Sequence, residues 1–150
     1  MTFTVFFDTS AMIKLYHDED GTEETLSIIN THNPIILISD LTKIEFISAF
    51  AKKVRTNEIT KDDFQEIVLL FENDTKKYEI IEIDKGIKSL AVDLLKMIGC
   101  KRGLKSLDAL QLASALTFSK IKYMLDLFVV SDKNLGKIAE EQGLQTMIVL

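Results

Sequence analysis

Four acidic residues stand where hydrolytic chemistry could be done. Asp8 follows the apolar run V-F-F at once. Glu45 closes T-K-I-E in a helical pattern behind a second apolar run. Asp108 sits near the start of S-L-D-A-L-Q-L-A-S-A-L, and Asp132 follows F-V-V-S. An ionised carboxylate at the mouth of an apolar strand is costly unless something pairs with it. Converging carboxylates also raise one another's pKa unless a cation lies between them. Hard oxygen ligands suit Mg²⁺ or Mn²⁺, which keep several waters and take a substrate phosphate in their open positions. Such an ion lowers the pKa of its water and stabilises charge developing on a phosphoryl oxygen. The reaction class that follows is phosphodiester or phosphomonoester hydrolysis. His17 and His32 lie in acidic or loop contexts and read as surface residues. The single Cys100 reads as a small apolar filler and excludes a cysteine-based zinc site or an internal disulfide.

Each carboxylate also has a plainer reading. Asp8 and Asp132 could simply be helix N-caps. Asp108 could complement a helix dipole, and a helical Glu45 could be solvated. The helix around Asp108 argues against coincidence. It is apolar nearly all round, and its polar residues, Asp108, Gln111, Ser114 and Thr117, are spaced by three. A buried helix with one polar stripe usually faces something polar.

Strand candidates that could hold these groups are Phe3–Phe7, Ile35–Ile38, Tyr78–Ile83, Leu127–Val130 and Gln145–Val149. Helical patterns cover Thr22–His32, Leu41–Arg55, Lys61–Lys77, Gly86–Ile98, Ser106–Ser119 and Asp132–Gln142. Short runs rich in Ile, Val and Phe suit parallel strands buried on both faces. Their alternation with helices predicts a doubly wound α/β sandwich, with pairs of helices before the third and fourth strands. Ligands of such sheets bind at the carboxyl ends of the strands, where the strand order reverses. Asp8 is expected there.

The 150 residues favour one domain spanning 1–150, and one Pro and six Gly leave no room for a flexible linker. The net charge of -5 does not suggest a bulk nucleic-acid coat, and it does not exclude a local basic rim around an acidic centre. One such rim is K-M-I-G-C-K-R-G-L-K-S, with Lys96, Lys101, Arg102 and Lys105 and no acid. A second cluster is Lys52, Lys53 and Arg55. Either could contact phosphates. Arg102 and Lys105 are expected to border the groove, whereas the second cluster reads more readily as cations at a helix C-terminus. No basic leader and no apolar stretch of roughly 18 residues is present, so the expected location is cytoplasmic.

D-T-S-A, T-K-I-E, L-K-S-L-D-A-L-Q-L-A-S-A-L and V-V-S-D-K-N-L-G-K-I-A-E-E-Q-G-L, in that order, resemble the PIN-domain ribonucleases. The VapC-type toxins of toxin–antitoxin pairs are the nearest likeness. The resemblance implies a three-layer α/β/α fold with a five-stranded parallel sheet. It implies a Mg²⁺- or Mn²⁺-dependent endoribonuclease whose acidic quartet falls on Asp8, Glu45, Asp108 and Asp132. Ser10 matches a small hydroxyl residue that supports the first carboxylate. Many members carry Thr two residues before the fourth carboxylate; here that position is Val130, and the hydroxyl is on Ser131. A homodimer, an RNA substrate and a protein antitoxin are further implications. Alternatives are an RNA-processing nuclease without an antitoxin and a degenerate fold that only binds. Haloacid-dehalogenase-like phosphatases need a second Asp where Ser10 stands. Receiver domains need an acidic pair that is lacking, and nucleotide binders need Gly-rich loops.

Overall fold

A computed structural model describes residues 2–122 and 125–150, the side chains of 120–122 excepted. In chain order the elements are β1 (Thr4–Phe7), α1 (Thr9–Lys14), α2 (Thr22–His32), β2 (Ile35–Ser39), α3 (Asp40–Arg55) and α4 (Lys61–Asp74). There follow β3 (Glu79–Ile81), α5 (Lys85–Leu94), a π-helical turn (Leu95–Gly99), α6 (Cys100–Arg102), α7 (Ser106–Lys122), β4 (Leu127–Val130), α8 (Lys133–Glu141) and β5 (Thr146–Ile148). The five strands form one parallel sheet of order β3-β2-β1-β4-β5.

The alternation of side chains along β1 divides the core into two. Val5 and Phe7 face one side, with Ile38, Val129, Phe46, Phe50 and Phe71. Phe6 faces the other, with Leu37, Phe128, Leu112, Ala113 and Leu135. Helices α1 to α4 therefore cover one face, and α5, α7 and α8 the other. The result is the three-layer α/β/α sandwich expected from the unbroken apolar runs. Val5, Phe6 and Phe7 are fully buried, so the strand that delivers Asp8 is clamped on both sides.

Three local findings differ from the sequence reading. The short helix α1 was not expected; Asp8 starts it as an N-cap, its Oδ1 accepting from the Ala11 amide at 3.0 Å. The helix expected to run through Ile98 changes to π geometry at Leu95. Cys100 is exposed rather than a core filler. Among the described residues, no helix is long and apolar enough to cross a membrane.

Candidate active site

The strand order reverses at β1, between β2 on one side and β4 on the other. Asp8 leaves the carboxyl end of β1, with its amide still donating to Val129 O at 3.1 Å. Asp132 follows β4 by one residue and caps α8, its Oδ1 accepting from the Leu135 amide at 2.8 Å. Both are thus N-caps, as the plainer reading held. Capping occupies one carboxylate oxygen of each. The Oδ1 of Asp8 also accepts from the Ser10 hydroxyl at 2.7 Å. In each residue Oδ2 has no hydrogen-bond partner among the described residues.

Asp108 enters from the first turn of α7, and Glu45 from the second turn of α3. The charges feel one another. Burial pushes the Asp8 carboxyl from 3.8 up to about 7. The Ser10 hydroxyl and the Ala11 amide oppose this, and the charges of Asp108 and Glu45 add to it. Burial also raises Asp108, Asp132 and Glu45 raise it further, and Lys105 opposes them. Asp8 therefore senses Asp108 and Glu45, and Asp108 senses Asp132 and Glu45. The four expected carboxylates converge on one end of the sheet.

Glu45 is held by groups that carry no charge. Its Oε1 accepts from the Thr9 hydroxyl at 2.8 Å and from Gln111 Nε2 at 3.0 Å. The same Nε2 lies 3.0 Å from Thr9 Oγ1 and 2.9 Å from Thr42 Oγ1, and the two hydroxyls are 3.1 Å apart. Thr9, Thr42 and Gln111 are all buried. The amide turns its NH₂ to the carboxylate and leaves Gln111 Oε1 buried without a partner among the described residues. An unmet buried acceptor costs roughly 1–3 kcal/mol, so the network favours holding Glu45 over satisfying itself. Gln111 had been visible only as part of a polar stripe. Thr9 and Thr42 gave no signal, because a threonine at a helix start is ordinary. Ser114, the next member of the stripe, bonds Leu110 O of its own helix. Replacing Gln111 with Leu is expected to release Glu45 and, in the phosphodiester hydrolysis expected from the sequence, to lower kcat by about 10- to 100-fold, the usual effect of losing the partner that orients a site carboxylate. KM should change little, and Ser114→Ala should be neutral. Steady-state kinetics of the two variants checks this.

Ser131 acts through its backbone: its amide donates to Ser10 Oγ at 3.0 Å. A chain of bonds thus runs from Ser131 through Ser10 to Asp8. The basic segment is more varied than its composition suggests. Arg102 Nη1 is 2.8 Å from both carboxylate oxygens of Glu141, and its carbonyl accepts from Asn134. Lys105 is exposed and close enough to Asp108 to act on its charge, and Lys101 is exposed. Of the three, Lys105 borders the acidic end, whereas Arg102 ties α6 to α8.

The donor set is all oxygen and its charges repel one another, a chemistry that suits a hard cation such as Mg²⁺ or Mn²⁺. Among the described residues, no three of His, Cys, Asp and Glu are arranged to hold one ion. That is compatible with Mg²⁺, which is commonly held by one or two carboxylates and completed by water and substrate phosphate. The free oxygens of Asp8 and Asp132 are available to such an ion.

A family model described as the PIN domain matches residues 5–141. No curated protein matches the chain in sequence. Several solved structures share its fold. A toxin–antitoxin complex from Klebsiella pneumoniae is 21% identical, with a TM-score of 0.63, over 89% of this chain and 92% of that one. VapBC2 from Rickettsia felis, bound to a DNA fragment from its promoter, is 16% identical, with a TM-score of 0.64, over 97% and 98%. VapC20 from Mycobacterium tuberculosis, a toxin that cleaves the sarcin–ricin loop, is 13% identical, with a TM-score of 0.66, over 93% and 95%. At these identities the likeness concerns the fold.

Proposed function

The chain belongs to the PIN-domain family, a family of nucleases, and on that premise we propose that it is a Mg²⁺- or Mn²⁺-dependent endoribonuclease, the toxin of a toxin–antitoxin pair. The observation that carries the reading is the convergence of Asp8, Glu45, Asp108 and Asp132 at the switch point of the sheet, where burial and then the acidic neighbours raise the Asp8 and Asp108 carboxyls. Asp8 and Asp108 are the principal metal ligands. Glu45, fixed by Thr9 and Gln111, is a further ligand or orients the attacking water. Asp132 completes the metal position or holds its water. The ion supplies charge neutralisation at the scissile phosphate and a more acidic water.

The protein's own residues prepare that chemistry. The rigid β1 strand fixes Asp8, and Ser10 holds its Oδ1, leaving Oδ2 without a hydrogen-bond partner among the described residues. The Gln111 amide fixes one oxygen of Glu45 and leaves the other free to accept a proton from water. Lys105 offsets part of the acidic charge and contacts a phosphate of the incoming strand, with Lys101 beside it. In support of a toxin with a protein antitoxin, two structures of similar fold are VapBC complexes from Rickettsia felis and Salmonella typhimurium. The chain is proposed to act as a homodimer in the cytoplasm.

The reading is tested by incubating single-stranded RNA with the protein. Internal cleavage is expected with Mg²⁺ or Mn²⁺ and none with EDTA. Cleavage unaffected by EDTA, or none with either metal, would overturn it.

A further inference from the structure

A cavity of about 400 Å³ counts Ser10 and Ser131 among its lining residues. Those are the two residues that link β4 to Asp8, so the cavity adjoins the candidate active site. Its size falls within the roughly 300–1,000 Å³ of small-ligand pockets. Helix α3 supplies one wall. Glu45, Ala49, Lys52 or Lys53, and the C-cap Thr56 recur at helical spacing, so one stripe of α3 leads from Glu45 along the cavity wall. Lys52 lies seven residues beyond Glu45, about 10 Å along the helix axis.

The chemistry of the lining is divided. Ile13 and Ala49 give apolar surface. Also in the lining, Lys53 Nζ stands 3.2 Å from the exposed Glu58 Oε2 and 3.6 Å from Glu19 Oε2. This cluster offers both donors and acceptors and carries no surplus positive charge, so it is poorly suited to a phosphate. Lys52 is exposed at the rim and belongs to no ion pair among the described residues. A flat apolar body with donors and acceptors on its edge, attached to an anion outside, is the description of a nucleotide. Single-stranded RNA is read in this way, by bases splayed out into pockets and bonded along their edges.

We propose that this cavity is a nucleotide subsite: it takes the base of a ribonucleotide next to the scissile phosphate, while Lys52 contacts that nucleotide's phosphate. Lys53 and Glu58 read the base edge and set the nucleotide preference. The proposal rests on RNA being the substrate, but it concerns binding and can be read without catalysis.

The experiment uses the full chain carrying Asp8→Asn, in EDTA, with fluorescent octamers of rA, rU and rC followed by anisotropy. One homopolymer is expected to bind at least about tenfold more tightly than the weakest. Glu58→Gln, at an exposed position, and Lys53→Met should each shrink that ratio below about threefold. Lys52→Ala should weaken all three oligomers alike and reduce the dependence of log affinity on log salt by about one. Equal binding of the three oligomers, or a ratio that survives both Glu58→Gln and Lys53→Met, would overturn the subsite. A wild-type protein that fails to cleave RNA while this binding pattern holds would instead overturn the nuclease reading.

Discussion

Asp8→Asn is expected to lower metal-dependent RNA cleavage by at least about a thousandfold, equivalent to roughly 4 kcal/mol in the barrier, and to leave the fold intact. Asn is as good an N-cap as Asp. Its side-chain oxygen can therefore still accept from the Ala11 amide and the Ser10 hydroxyl, which hold Oδ1 in the parent. Only the charge and the second carboxylate oxygen are lost, and those are the features a metal ion would use. A variant that merely disturbed α1 would lose stability together with activity. The expected variant loses activity alone. Initial rates with Mn²⁺, compared with a thermal melt of the same preparation, separate the two cases. Undiminished cleavage would remove Asp8 from the chemistry.

The same substitution has a second large consequence, in the opposite direction. Without metal, the folded chain ionises Asp8 only near pH 7, chiefly because the group is buried, whereas the unfolded chain does so near 3.8. Between those values the folded state keeps a proton that the unfolded state has released. Stability therefore falls as pH rises through this window. The displacement corresponds to a loss on the order of 4 kcal/mol, a large part of the stability of an ordinary domain. Asp108, also raised, acts in the same sense. The lowered carboxyls of Glu19 and Asp63 act the other way, but below about pH 4.5, where ordinary carboxylates titrate. Urea denaturation in EDTA at pH 5 and pH 8 is expected to show a clear loss of stability in the parent. In Asp8→Asn most of that loss should disappear, making the variant the more stable protein at pH 8. Adding Mn²⁺ should restore the parent, because an ion bound only by the folded state stabilises it. A parent with equal stability at both pH values would contradict the burial of an uncompensated charge.

Much of this was legible in the sequence because burial on both faces writes a simple pattern. Unbroken runs such as V-F-F and L-F-V-V have one physical explanation in a chain of this length: strands between two helical layers. The helix Thr22–His32 and the strand Leu127–Val130 fall where their residues predict. The four carboxylates were readable because each interrupts an apolar context. Less visible were features that depend on distant partners. Helix α1 is only six residues long and carries no periodic signal of its own; it exists because Asp8 caps it and the core receives Ala11 and Met12. The grip on Glu45 joins Thr9, Thr42 and Gln111 from three separate elements, and no local spacing announces such a meeting. Arg102 has the composition of an RNA contact, yet Glu141, 39 residues away in sequence, engages it. The stripe from Glu45 to Thr56 was present in the sequence all along. Its link to the acidic centre depends on the fold, which brings Ser10 and Ser131 into the lining of the same cavity.

The claim at the centre of this account is that converging carboxylates at the end of β1 bind a divalent ion. Calorimetric titration of Mn²⁺ into the metal-free protein at pH 7.5 tests it most directly, since it needs neither RNA nor turnover. Saturable binding to the parent is expected, with loss of that binding in Asp8→Asn and in Asp108→Asn and retention in Ser114→Ala. A parent that binds no Mn²⁺, or variants that bind it as the parent does, would contradict it.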